Sequence, residues 1–327
     1  MARQEAMAAR TVAGFADLFE AIVENIDQVI QGKEQAIRLA LVGLVSEGHL
    51  LIEDVPGIGK TSLAKALARS IHGEWHRIQF TPDLLPSDVT GVTVYNRQSA
   101  TFTFRPGAIF ANLVLADEIN RASPKTQAAL LEAMEERQVT VDTTTHRLPS
   151  PFMVIATQNP VEHEGTYPLP ESQLDRFLLR IRMGYPDRGA EIAMLDAHGD
   201  GSGADSLEPV VGPSDIQTMI EVTKAIHVAP TLKGYMVDLA AATRRHPALT
   251  LGMSPRAALA LQRASRGLAA SLSRDYVVPD DIKAMVVPVL EHRLVLSADA
   301  QLGGSRRAEI LAEVLAAVPI PAGRIGG

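Results

Sequence analysis

The chain has 327 residues, of which 46% are hydrophobic but only 4% aromatic, so its apolar mass is aliphatic. That suffices for one large core plus a smaller satellite, and it suits helices packed on a sheet better than a β-sandwich. The absence of cysteine excludes disulfide frameworks, thiolate metal sites and cysteine nucleophiles, and the net charge of −7 speaks against a dedicated nucleic-acid binder.

Met1 to Arg10 lacks the apolar stretch of a secretory signal, and no apolar run approaches the roughly 20 residues needed to span a bilayer. A soluble cytoplasmic protein without membrane insertion is expected. Phe15, Leu18, Phe19, Ile22, Val23, Ile26 and Ile30 recur at helical spacing, and a second helix is predicted from Lys33 to Glu47. Short apolar runs then alternate with helices: Leu50 to Ile52, Ile78 to Phe80, Leu113 to Leu115, Phe152 to Ala156 and Phe177 to Met183. This pattern predicts an α/β fold whose parallel sheet is buried on both faces.

Two stretches read as β-hairpins. The first pairs Val92–Tyr95 with Thr101–Phe104 around a polar turn; the second pairs Val139–Val141 with His146–Leu148, with Thr143 to Thr145 at its tip. A Gly-, Asp- and Ser-rich stretch from Gly199 to Pro213 reads as a linker. Beyond it the pattern is helical, over Ser214–Ile226, Thr231–His246, Pro255–Ala270 and Asp280–Arg293.

The chemistry begins where the first strand meets Pro56-Gly57-Ile58-Gly59-Lys60-Thr61-Ser62. A strand, a glycine loop and Lys-Thr opening a helix form the context of a phosphate-binding loop, with amides and a helix N-terminus turned to phosphate oxygens. Lys60 is the residue to neutralise the β- and γ-phosphates, and Thr61 the one to ligate Mg²⁺. The formal pattern wants glycine at position 54, where this chain has Asp54.

The third strand ends in Asp117-Glu118. Asp117 is the candidate for holding Mg²⁺ and Glu118 for activating water; the plain alternative is a solvated strand end. Asn159, closing the fourth strand, is a candidate to position that water or else a turn residue before Pro160.

With these residues in view, the chain resembles the MoxR family of AAA+ ATPases over nearly its whole length, from about Val29 to His292. The resemblance is carried by the blocks Leu51–Thr61, Leu115–Ala122, Ala156–Pro160 and Tyr167–Phe177. It implies a three-layer α/β/α core over residues 1–200 with hairpin inserts near 88–106 and 138–150. A linker at 201–213 and an all-α lid over 214–327 would follow. It implies ATP and Mg²⁺ as ligands, and Arg176 as an arginine reaching a neighbouring subunit's γ-phosphate, with Arg180 the second candidate. Ser254-Pro255-Arg256 resembles the sensor motif of the lid. Ser254 suits an N-cap and Pro255 a first helical position, which leaves Arg256 opposing the helix dipole, a cost that points to a bound phosphate as its partner, with solvent exposure the alternative. Val29 and Ile30 fall where such proteins cradle adenine.

The hairpins resemble inserts shared with magnesium-chelatase and minichromosome-maintenance ATPases. The implied function is a homo-oligomeric ring, a hexamer, that acts as a chaperone-like maturation factor on protein partners such as von Willebrand factor A domain proteins. A chelatase-type motor for metal insertion, a nucleic-acid motor and a non-hydrolysing switch are the other readings.

Overall fold

The apolar stripe beginning at Phe15 does form a helix. A computed structural model describes residues 11–159, 165–186, 188–189, 191–192 and 203–321. Pro160 and the first two residues of the expected linker lie outside the described residues, as do Met1 to Arg10. Helix α1 (Val12–Asp27) opens on Thr11, whose hydroxyl accepts the Gly14 amide, one of the donors a helix start leaves unpaired. It buries Phe15, Phe19, Ile22, Val23 and Ile26, and α2 (Glu34–Val45) packs beside it.

The α/β alternation follows. Strand β1 (Leu50–Glu53) leads to α3 (Lys60–Ser70), β2 (Trp75–Gln79) and the short α4 (Pro86–Thr90). The first hairpin is β3 (Gly91–Asn96) with β4 (Thr101–Pro106), after which come β5 (Leu113–Asp117) and α5 (Pro124–Glu136). The second is β6 (Gln138–Val141) with β7 (Thr144–Arg147), followed by β8 (Met153–Gln158), α6 (Glu171–Leu174) and β9 (Leu179–Ile181). Five strands join in the order β2-β5-β8-β1-β9, and every pairing is parallel.

Because side chains alternate across a strand, the sheet feeds two separate cores. Leu51, Val114, Ala116, Val154 and Ala156 face Leu130, Leu131 and Met134 of α5. Leu50, Ile52, Leu113, Leu115, Met153 and Ile155 face α1, α2 and α3. The expected three-layer α/β/α arrangement is thereby present. Strand β2 begins three residues before the expected Ile78, because it is an edge strand that buries Ile78 alone and so lacks an apolar run.

Gly91 closes the base of the first hairpin at φ 95°, where a Cβ would lie 2.4 Å from the Arg105 carbonyl oxygen; only glycine fits. The tip of the second hairpin needs correction. Val141 pairs with Thr144, so the turn is Asp142-Thr143 and Thr144 and Thr145 are strand residues. Their polarity read as a turn because β7 is largely exposed and has no apolar alternation. His146 stacks on Phe104 at 3.8 Å between ring centroids, which joins the two hairpins.

The described part of the expected linker is fastened down. Ala204, Leu207 and Val211 are buried, Asp205 pairs with Lys65 and Arg69 of α3, and the amides of Val210 and Val211 donate to the Ser70 carbonyl. The lid contains α7 (Pro213–Ala225), α8 (Pro230–Arg245), β10 (Leu249–Leu251), α9 (Pro255–Ser271), α10 (Pro279–Leu290), β11 (Val295–Leu296), α11 (Ala298–Leu302) and α12 (Arg307–Ala317). The four anticipated helices are in place, each with proline at its first position. The β10–β11 ribbon and α12 add to them; strands of two or three residues carry too little pattern to be read. The lid shares one continuous core with α1 to α3.

His49, just before β1, is fully enclosed. Its Nδ1 accepts the Val154 amide at 3.0 Å, so Nε2 carries the proton and donates to the Met134 carbonyl at 3.0 Å. Burial pushes its pKa down to about 3, and burial likewise holds His292 well below the usual range. Between about pH 6.5 and 3 the unfolded chain therefore binds protons that the folded chain refuses, so stability is full above 6.5 and falls with pH across that window. A His49→Gln chain should show a shallower fall in unfolding free energy between pH 6 and 4. The difference should approach one proton, or ~1.4 kcal/mol per pH unit, in urea titrations at each pH. An unchanged slope would assign the acid sensitivity elsewhere.

Candidate active site

The glycine loop follows β1 at the C-terminal edge of the sheet. Gly57 and Gly59 have φ 82° and 90°, a conformation that turns successive amides into an anion-binding concavity ahead of α3. Nothing lies within 4 Å of a Cβ built on Gly57, so the space above the loop is open. Pro56 and Gly57 are exposed, Ile58 is buried as the loop's anchor, and Thr61 and Ser62 lie in the first turn of α3. Lys60 donates to the Asp54 carbonyl at 2.7 Å. Burial lowers its pKa, while Asp117, Asp54 and Glu118 act in the opposite direction.

Asp54 does not have the positive φ for which a glycine would be needed. Its Oδ2 accepts the amides of Met183 and Gly184 at 2.8 and 2.6 Å, and its Oδ1 the amide of Val55 at 3.0 Å. The residue that breaks the formal motif thus tethers the start of the loop to the segment after β9.

Asp117 and Glu118 end β5, flanked by β2 and β8. The buried Thr157 hydroxyl donates to Asp117 Oδ1 at 2.7 Å and accepts the Glu118 amide at 2.9 Å, setting both acids at once. Arg77 donates to Asp117 Oδ2 at 2.6 Å, and the Gln79 amide to Glu118 Oε2 at 2.9 Å. Glu118 sits at φ 56°, ψ 51°, a left-handed conformation unfavourable for a residue with a Cβ and characteristic of functional sites. Asn159 is buried just past β8, the strand between β5 and β1, so it lies between the acid pair and the glycine loop.

Arg77, Gln79 and Thr157 were missed by sequence reasoning. The signal for the first two was the two-residue spacing along β2, whose start was not legible.

Among the described residues no group of three or more His, Asp or Glu forms a metal site unaided. Asp117 and Thr61 fit the partial set that Mg²⁺ accepts when phosphate oxygens and water complete its shell. A cleft of about 410 Å³ is lined by Gly32, Lys33, Ala36 and Leu39 of the α2 region, Ile181 at the end of β9, Met183 beyond it, and Val287, Pro288 and Glu291 of the lid; Met183 also approaches Gly59 of the loop. That volume suits a small planar ligand. Ile30 is buried in the core and Val29 packs against it, and neither lines the cleft, whereas nearby Gly32 does.

The arginines lie elsewhere. Arg176 precedes β9 and Arg256 opens α9, and both meet Glu135 near the end of α5, Arg176 at 3.2 Å from Nε to Oε2. This is the N-terminal edge of the sheet, since neighbouring Met134 binds His49 just before β1. A strand length of roughly 13–17 Å separates it from the glycine loop. Where a bound phosphate was expected of Arg256, the structure places Glu135 of the same chain. Arg180 is buried, held by Glu53 at 2.7 Å and Glu291 at 2.5 Å, which leaves Arg176 as the arginine able to leave the chain's own surface. Lid residues fix that segment: Arg293 pairs with Asp175 at 2.7 Å and donates to the Phe177 carbonyl, as does His292.

Comparison with known proteins agrees with this architecture. Residues 49–179 match the profile of the ATPase family associated with various cellular activities (AAA), and residues 241–314 that of the AAA lid domain. The chain is 49% identical over 302 residues to YeaC of Bacillus subtilis, covering 92% of this chain and 94% of that protein. It is 40% identical to chaperone MoxR1 of Mycobacterium tuberculosis, covering 92% and 82%. A crystal structure from Cytophaga hutchinsonii superposes with a TM-score of 0.89 at 36% identity, over 98% of both chains. On this sequence identity and this arrangement of loop, sheet and lid, the chain belongs to the MoxR family of AAA+ ATPases.

Proposed function

We propose that the chain hydrolyses ATP at the junction between copies of itself in a closed ring, a hexamer, and that the cycle remodels or matures protein partners. The carrying observation is the separation of the candidate site into two halves. Lys60, Thr61, Asp117, Glu118 and Asn159 gather at one edge of the sheet, and Arg176 and Arg256 at the other. A guanidinium that stabilises the transferring phosphoryl group must stand within hydrogen-bond reach of it. Arg77 and Arg121 of the same chain are engaged by Asp117 and Glu118, and Arg176 and Arg256 lie at the far edge, so on this reading a neighbour's Arg176 and Arg256 do so.

On this reading the loop amides and Lys60 bind the phosphates, and Thr61 and Asp117 would hold Mg²⁺, which would supply Lewis-acid stabilisation of phosphate charge. Glu118, released from Gln79, takes the proton of the attacking water, and Asn159 orients that water. The lid, described over 214–321, works on this reading as one body with the fastened segment 203–213 and not as a domain swinging on a free linker. The likeness of 92% of the chain to chaperone MoxR1 supports protein clients, and we propose von Willebrand factor A domain proteins among them. So does the first hairpin, where Tyr95 and Phe102, exposed at 49% and 73%, pair in a tilted contact at 5.1 Å beside the polar turn and offer apolar surface suited to a polypeptide. Among the described residues no helix is long and apolar enough to cross a membrane, which fits work in the cytoplasm. A DNA-stimulated ATPase with a steep salt dependence would favour a nucleic-acid motor instead, and copurification with a tetrapyrrole-binding subunit a chelatase.

Lys60→Ala should lose nucleotide binding and turnover with an unchanged circular dichroism spectrum. Glu118→Gln should bind ATP with turnover reduced at least ~100-fold, the scale of a lost general base; wild-type turnover would remove Glu118 from the mechanism. Pulling down partners on that trapped variant in ATP would identify the client. Arg176→Ala alone should be inactive, yet mixing it with Lys60→Ala should restore activity, because about a quarter of head-to-tail interfaces then pair an intact loop with an intact arginine. Two inactive proteins that stay inactive when mixed, although they co-assemble, would contradict shared sites.

A further inference from the structure

Glu135 stands in an unfavourable place. It is the penultimate residue of α5, where the helix dipole is negative, and the cation it meets, Arg256, is in the first turn of α9, where the dipole is positive. Each charge is set against its own helix, and each is offset by the other. The same carboxylate also takes Arg176, one oxygen for each arginine. Arg293 and Arg263 add positive charge nearby, and Asp175 is already engaged with Arg293. An oxygen pair holding two guanidiniums at a cationic edge is the arrangement a phosphate would present there.

We propose that Glu135 is an internal stand-in for phosphate: it latches Arg176 and Arg256 in the separate chain and yields them to the γ-phosphate carried by the neighbouring copy. This rests on the reading that those arginines act across the subunit junction. Glu135 is a positioning residue, since it acts only through the arginines. The side chains are between 28% and 47% exposed, so the exchange needs no unpacking of the core. A phosphate of higher charge displaces a single carboxylate, and in its absence the latch keeps two cations from repelling one another. The latch therefore opposes assembly until the nucleotide arrives.

The test is ATPase activity per chain over a series of protein concentrations at saturating Mg–ATP, using the full chain. Glu135→Gln, close to isosteric, should lower the concentration of half-maximal activity about fivefold, which corresponds to ~1 kcal/mol for a released competing pair. Glu135→Asp keeps the charge on a shorter stem and should give a smaller shift in the same direction. Thermal midpoints measured alongside separate this from lost stability, which would move the half-maximal concentration upward. An unchanged or higher half-maximal concentration in both variants makes Glu135 a static brace and overturns the latch. The two levels stay distinguishable. Wild-type turnover in Arg176→Ala would remove the cross-junction reading and the latch with it, whereas an inactive Arg176→Ala beside an unshifted Glu135→Gln removes the latch alone.

Discussion

All five strands of the sheet run in one direction, and this polarity divides the chemistry of the molecule. A parallel sheet has two unlike edges: strands leave one into loops that open helices, and arrive at the other from helix ends. The glycine loop, Asp117, Glu118 and Asn159 all fall where strands end, so they converge without any long-range device. Arg176 falls where a strand begins. No local rearrangement of a loop carries it across the sheet, because β9 is hydrogen-bonded to β1 along its length. On the proposed reading, the same topology that assembles one half of a hydrolytic site withholds the other half, and association of copies completes it.

Holding the first half in place falls to neutral groups as much as charged ones. Thr157 has no surface exposure, and its hydroxyl both donates and accepts between the two acids. Removing it would leave a buried carboxylate oxygen and a backbone amide to find other partners, at about 1–3 kcal/mol for each group left unmade. Asp54 does similar work for the loop, gathering three amides on one carboxylate. With the loop fixed from below, Gly57 and Gly59 supply curvature and not looseness.

Much of this was legible in sequence because the signals were local. Lys60 after two glycines, an apolar strand closing on Asp117-Glu118, and Ser254-Pro255 opening a lid helix each state their geometry within a few residues. What escaped depended on distant segments. Arg77 and Gln79 reach the acids only because β2 pairs with β5, and β2 is an edge strand whose exposed residues hide its extent. Asp54 read as a defect because its amide partners, Met183 and Gly184, lie far along the chain. For Arg256 the dipole argument pointed to a bound phosphate, and Glu135 takes that place because it approaches from another element. The ribbon β10–β11 was too short to have a period at all.

Two buried arginines bind the lid to the two halves unequally, and this bears on how motion would pass between them. Arg180 links Glu53, the residue before Asp54, to Glu291 of the lid; Arg293 of the lid grips Asp175 and Phe177 on either side of Arg176. Burial lowers the Arg293 pKa to about 10, with Asp175 resisting that fall, so its charge persists at neutral pH. Leaving such a charge unpaired costs about 3–5 kcal/mol. A lid rotation that broke the Arg293 contacts would meet that penalty, whereas one that carried residues 175–177 along would not. The lid and the arginine it flanks therefore move as one body. Any change at the lid-lined cleft is then delivered to the far edge of the sheet, where the neighbouring copy's nucleotide would lie.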